Sequence, residues 1–180
     1  METDRLILRH FCESDSADCY INFGKDEQLG QFIAIFPMND SNEMRMWMKE
    51  WSVNPHIWAV VLKKTLQPIG YITIDIPYPQ LQIGEIGYVI GEKFQHLGYV
   101  SEAVSCILKE YFTNQDLYLI EAKYNEGNMA SGKLLERLGF QKECSLRDRR
   151  VEQQTKKRTN LCICSVIQEK YLKQRRVAAQ

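Results

Sequence analysis

A lone carboxylate between apolar neighbours is the first residue that could do chemistry. In Ile83-Gly84-Glu85-Ile86-Gly87-Tyr88-Val89-Ile90, strand alternation puts Glu85 on one face with Ile83, Gly87 and Val89, and leaves Gly84, Ile86, Tyr88 and Ile90 on the other. Both faces are apolar, so a carboxylate there is costly unless it is paired, solvated or functional. A wet strand end, a lysine partner and a proton-transfer role all remain open on this pattern. The second feature follows at once, because Gln95-His96-Leu97-Gly98-Tyr99-Val100-Ser101-Glu102-Ala103 reads as a loop turning into a helix. The first amides of a helix have no partner inside it and carry a partial positive charge. Phosphate groups bind there without needing many lysines, and Gly98 would let the main chain approach them closely. An ordinary strand-to-helix turn has the same signature. Gly84, Gly87 and Gly91 do not make G-x-G-x-x-G, and no G-x-x-x-x-G-K-S/T occurs, which disfavours dinucleotide binding of the usual kind and ATP hydrolysis.

The elements that must position these groups are legible along the chain. Arg5 to Arg9 suits a first strand. Ser14-Asp15-Ser16 can cap a helix carrying Ala17, Tyr20 and Ile21. Asn39 to Glu43 opens a second helix, in which Met44, Trp47, Met48 and Trp51 form one apolar stripe ended by Pro55. That stripe reads as core. Strands are predicted over Ile57 to Leu62, Ile69 to Ile76 and Gln82 to Ile90. A helix follows from about Tyr99 to Phe112, burying Ala103, Val104, Ile107, Leu108, Tyr111 and Phe112. Leu117 to Tyr124 is a further strand. A short helix opened by Asn128 turns Met129, Leu134, Leu135 and Leu138 inward, and Gly139 with Phe140 suits its C-terminal cap. Two last strands span Lys142 to Val151 and Arg158 to Ile167. The polar, basic stretch beyond reads as a frayed helix or disordered. The expected fold class is α/β: one domain over residues 1–168 with a tail at 169–180. Its mixed, mostly antiparallel sheet of six to seven strands is flanked by about four helices.

Composition excludes whole classes of function. With 180 residues, 44% hydrophobic and 26% charged, the chain has enough apolar content for a core and is not low-complexity. Lys and Arg number 23 and Asp and Glu 23, so there is no basic field of the kind that holds nucleic acid or an anionic membrane. No apolar run is long enough to span a bilayer, and the start lacks a secretory signal; a cytoplasmic location is expected. Of six cysteines only Cys162 and Cys164 are close, and His10, His56 and His96 lie far apart, so no metal site is expected.

Four stretches in register carry a resemblance. Gln95 to Ala103 resembles the acetyl-coenzyme A pyrophosphate loop of GCN5-related N-acetyltransferases (GNAT), Gln/Arg-x-x-Gly-x-Gly/Ala, in the form of the RimJ/RimL-like subgroup. Glu2 to Arg9 looks like that subgroup's opening strand, Asn128-Met129-Ala130-Ser131 its Asn-x-Ala-Ser helix start, and Leu135-Glu136-Arg137-Leu138-Gly139-Phe140 its Leu-Glu-Lys-Leu-Gly-Phe ending. Two positions depart from the pattern: His96 stands where Gly is frequent, and Val100 where Ala or Gly is found.

The resemblance implies transfer of acetyl from acetyl-CoA, a cosubstrate, to a primary amine by direct attack, with no metal. Such an amine is mostly protonated at neutral pH, so its proton must be removed; Glu85 becomes the candidate base, directly or through a water. The resemblance places coenzyme contacts on Tyr88, Val89 and Ile90 of the strand, on Gln95, His96, Leu97, Gly98, Tyr99, Val100 and Ser101 of the loop, and on Asn128 and Ser131. Ser131 is the candidate proton donor to the leaving thiolate, with Tyr88 and Tyr124 in reserve; capping is the plain alternative for Asn128 and Ser131. Glu102 reads as a first-turn carboxylate favoured by the helix dipole. Acceptor choice in the family rests largely on segments matching residues 29–39 and 151–158. Phe32, Ile33, Ile35 and Phe36 suggest an apolar-walled pocket without distinguishing a protein N-terminus from a small amine. The basic residues Arg147, Arg149, Arg150, Lys156, Lys157 and Arg158 bracket a hairpin and read as a solvated turn. A homodimer is compatible with the family. A catalytically silent acyl-CoA-binding regulatory module is the second reading, fed by His96 and Val100; a nucleic-acid-associated protein is a third, opposed by the zero net charge.

Overall fold

Seven strands among the described residues make one mixed sheet. They are β1 (Leu6–Arg9), β2 (Ile57–Leu62), β3 (Pro68–Tyr78), β4 (Ile83–Ile90), β5 (Leu119–Asn125), β6 (Gln141–Val151) and β7 (Arg158–Ile167), in the order β1-β2-β3-β4-β5-β7-β6. The computed structural model describes residues 1–33, 35–152 and 155–178. Within the expected segments 29–39, 151–158 and 169–180, residues 34, 153, 154, 179 and 180 lie outside the described residues. Five α-helices are described: α1 (Ser16–Cys19), α2 (Ser41–Trp51), α3 (Tyr99–Thr113), α4 (Met129–Arg137) and α5 (Gln168–Ala178). β1–β2 and β2–β3 are antiparallel. β4 and β5 are parallel, which requires a crossover, and α3 supplies it. β5–β7 and β6–β7 are antiparallel again. No described helix is long and apolar enough to cross a membrane.

Two sets of segments each pack on themselves. The first comprises Met1–Thr73 with Tyr88–Cys106; the second comprises Ile74–Gly87, Ile107–Glu152 and the chain from Lys156 onward. The first set is built on the α2 stripe. Asp40 caps that helix, its carboxylate accepting from the Asn42 and Glu43 N–H groups, and Met44, Met48 and Trp51 are buried. They join Phe11, Cys19, Phe23, Phe36, Tyr71 and Val89 in one core, with the Trp51 and Tyr71 rings 4.7 Å apart. The first helix differs from expectation: after one α-turn it widens into a π-turn at Tyr20–Gly24. Cys19 and Phe23 are buried while Ile21 is exposed.

In the second set, Leu117, Ile120, Ala122, Leu134, Leu135, Phe140 and, on α3, Ile107, Leu108, Tyr111 and Phe112 are buried. Helix α4 turns Leu134 and Leu135 inward as expected, but Leu138 is half-buried and Met129 is exposed. Gly139, at φ +91°, ends it, with the Phe140 N–H reaching Leu135 O at 3.0 Å. Cys162 and Cys164 are both buried on β7. Beyond β7 the chain is helical over Gln168–Ala178, and Tyr171 of α5 is buried against the Phe112 ring, 5.3 Å between centroids.

Candidate active site

In the first set of segments, β4 passes through Gly91 and a 3-10 turn (Glu92–Phe94) to α3. Asp26 accepts from the Glu92 N–H at 2.7 Å, and the Gln28 side chain bonds the Glu92 carboxylate; these contacts fix the start of the loop. The Gln95 amide nitrogen donates back to Ile90 O at 3.3 Å. His96 and Gly98 then take positive φ, +60° and +82°, which turns the chain sharply into the helix. The first hydrogen bond into α3 runs from the Glu102 N–H to Gly98 O, 3.1 Å. The N–H groups of Tyr99, Val100 and Ser101 consequently have no partner inside the helix. His96, Leu97 and Gly98 are exposed, while Tyr99, Val100 and Ser101 are half-buried. A turn of this kind presents main-chain donors to an anion.

The strand residues divide by role. Val89 is buried in the first core, and its carbonyl lies against Gly70 of β3. Ile90 is buried, with its carbonyl taken by Gln95. Gln82 O accepts from the N–H groups of Tyr118 and Leu119. By alternation, Tyr88 and Ile90 turn their main-chain groups to this same edge of β4 and Val89 to the opposite one.

The second set holds the candidate proton-transfer groups. Glu85 pairs with Lys123 of β5 at 2.5 Å, side chains 36% and 29% exposed. The lysine partner left open by the sequence is therefore present, and it answers the desolvation problem of a carboxylate on this strand. The parallel ladder places Glu85 opposite Glu121 and has its last pair at Ile86–Ala122, while β4 runs on to Ile90. Asn128 caps α4, its Oδ1 accepting from the Ser131 N–H at 3.1 Å. Ser131 is half-buried in the first turn. Burial first, then the neighbouring Cys162, Cys164 and Glu126, pushes the Tyr124 phenol up to about 12, so it holds its proton at neutral pH.

The candidate residues thus form two groups, Tyr88 to Ser101 in one set of segments and Glu85, Asn128 and Ser131 in the other. β4 belongs to both. Three expectations change. Phe36 is not a pocket wall but core, edge-on to Phe23 at 6.3 Å. Phe32 is exposed, and Ile33 and Ile35 are half-buried against the same core. Glu102 does not simply face the helix dipole: its carboxylate accepts from Thr3 and Arg5 of the opening segment. Lys123, Asp26 and Arg5 were not singled out by sequence, since nothing in their spacing links them to residues so distant along the chain.

A family model described as acetyltransferase (GNAT) domain matches residues 5–141. The chain belongs to the GNAT acetyltransferase family. An uncharacterized N-acetyltransferase of Bacillus licheniformis, p20, is 32% identical over 151 residues, covering 81% of this GNAT chain and 84% of that one. The ribosomal protein uS5-alanine N-acetyltransferase of Escherichia coli (strain K12) is 40% identical over 63 residues, 35% of this chain and 32% of that one. Among solved structures, the ribosomal L7/L12 acetyltransferase RimL in complex with coenzyme A has a TM-score of 0.80 at 18% identity, covering 92% and 95% of the two chains. The spermidine N-acetyltransferase of Vibrio cholerae, in complex with CoA and spermine, has a TM-score of 0.79 at 17% identity, covering 94% and 99%. These two likenesses establish the GNAT fold.

Proposed function

We propose that the protein transfers acetyl from acetyl-CoA directly to a primary amine, a protein N-terminus or a small molecule, in the cytoplasm. One observation carries the reading: in a GNAT chain, the turn at His96–Gly98 leaves the N–H groups of Tyr99, Val100 and Ser101 without helical partners. Those donors suit a diphosphate. Acetyl-CoA, when bound, supplies the activated acyl carbon.

The chain's own groups supply the rest. By the family resemblance, the main chain of β4 at Tyr88, Val89 and Ile90 would align the thioester arm. Glu85, held by Lys123, takes the proton from the attacking amine, directly or through a water. Ser131 gives its hydroxyl proton to the departing thiolate and regains one from water, to which Glu85 releases the proton it removed; the capping bond to Asn128 fixes the Ser131 backbone. Tyr124, protonated at neutral pH, is the reserve donor.

Calorimetry with acetyl-CoA followed by thiol release over an amine panel tests this. Saturable release with at least one amine is expected. Binding without turnover on any amine points to the silent acyl-CoA module, and absence of binding removes the proposal.

A further inference from the structure

The Arg5 side chain and its backbone N–H reach the turn before α3 and Glu102 in the first turn of that helix. Its Nε donates to Glu102 Oε2 at 2.7 Å and its backbone N–H to Glu102 Oε1 at 2.9 Å. Its Nη1 donates to Leu97 O at 3.0 Å. The guanidinium carbon stands 4.5 Å from the Tyr99 ring centroid, and Nη2 is 3.3 Å from where a β-carbon on Gly98 would lie. Thr3 adds its hydroxyl to Glu102 Oε1 at 2.5 Å. One side chain therefore touches Leu97 and Tyr99, on either side of Gly98.

Stability alone does not explain the arrangement. The Arg5 side chain is 47% exposed, and exposed ion pairs contribute about 0 to 1 kcal/mol. The electrostatics point elsewhere. A carboxylate in the first turn favours the helix but cancels the positive potential that an external anion needs. Here Arg5 and Thr3 occupy both oxygens of Glu102 and offset its charge, so the field of the free amides is kept.

We infer that Arg5 is a positioning residue: through Glu102 and Leu97 it holds the Gly98 turn so that the Tyr99, Val100 and Ser101 amides converge on the diphosphate of acetyl-CoA. The inference rests on the reading of that turn as the diphosphate site. Arg5 acts only on the phosphate-bearing half of the donor. A donor lacking that half is indifferent to it.

The test compares wild type, Arg5→Lys and Glu102→Gln with acetyl-CoA and with S-acetylpantetheine, which has no diphosphate, using the best acceptor from the amine panel. Lysine keeps the charge but loses the fork that spans Glu102 and Leu97. Arg5→Lys is expected to lower kcat/KM for acetyl-CoA about tenfold, leave kcat/KM for S-acetylpantetheine within about twofold, and leave kcat with saturating acetyl-CoA nearly unchanged. Glu102→Gln is expected to move the same parameters in the same direction. Thermal unfolding of each variant checks that it is folded, and calorimetry with CoA on folded protein gives a second readout. Equal losses with both donors, or none with either, overturn the inference while leaving the diphosphate site intact. A wild type that neither binds nor uses acetyl-CoA overturns the underlying site reading instead.

Discussion

Glu85 and Ser131 are the residues on which the proposed chemistry depends, and their surroundings make different predictions. Glu85 has a lysine 2.5 Å away, so glutamine in its place keeps the shape and loses the base. Glu85→Gln is expected to lower turnover at neutral pH by about a hundredfold or more, with acetyl-CoA affinity held within a few-fold by calorimetry. An unchanged rate at every pH would remove Glu85 from the mechanism. At Ser131 the backbone N–H, not the hydroxyl, makes the capping bond, so Ser131→Ala keeps the cap. It is expected to lower kcat about tenfold or more; an intact rate, with the loss appearing in Tyr124→Phe, would move the proton donor to the phenol.

At the scale of elements, the turn before α3 combines two left-handed residues, one of them not glycine. His96 at φ +60° accounts for the preference for glycine at this position, and histidine is one of the side chains that tolerate the region. His96→Gly removes strain of about 1 kcal/mol but gives the unfolded chain more freedom. Stability is expected to stay within about 0.5 kcal/mol in urea unfolding, with donor binding retained. Gly98→Ala is the opposite case: at φ +82° a β-carbon costs about 1 kcal/mol and crowds the Arg5 guanidinium. Lower stability and weaker acetyl-CoA binding are both expected, measured by the same unfolding series and by calorimetry.

Over the whole molecule, two carboxylates tie stability to acid pH. Burial works against the Asp15 charge, but hydrogen bonds from Arg9 and from the Cys12 N–H and thiol outweigh it and lower its pKa. Burial likewise opposes the Glu102 charge, and donors from Thr3 and Arg5 again prevail and lower it. A lowered folded pKa contributes stability above the unfolded value, about 4, and loses it as pH falls through the folded one. Urea midpoints are therefore expected to drop below about pH 4, with a shallower acid limb in Asp15→Asn and Glu102→Gln. Tyr171, buried on Phe112, makes α5 part of the packed structure; Tyr171→Ala is expected to cost about 3 kcal/mol in the same assay.

Most elements were legible because their signals are local: β2 and β7 lie where alternation placed them, and α3 buries the six residues its periodicity named. The glycine turn and the Asn128 cap were legible for the same reason, each written within a few consecutive residues. The partners of the site residues were not. Lys123 beside Glu85, Arg5 and Thr3 around Glu102, and Asp26 under Glu92 are separated along the chain by 38, 97, 99 and 66 residues. The π-turn at Tyr20–Gly24 and the burial of Phe36 were likewise hidden. Local periodicity specifies which face of an element is apolar, whereas charge pairing and the filling of a core depend on which distant element arrives opposite, and that is decided only when the sheet closes its register.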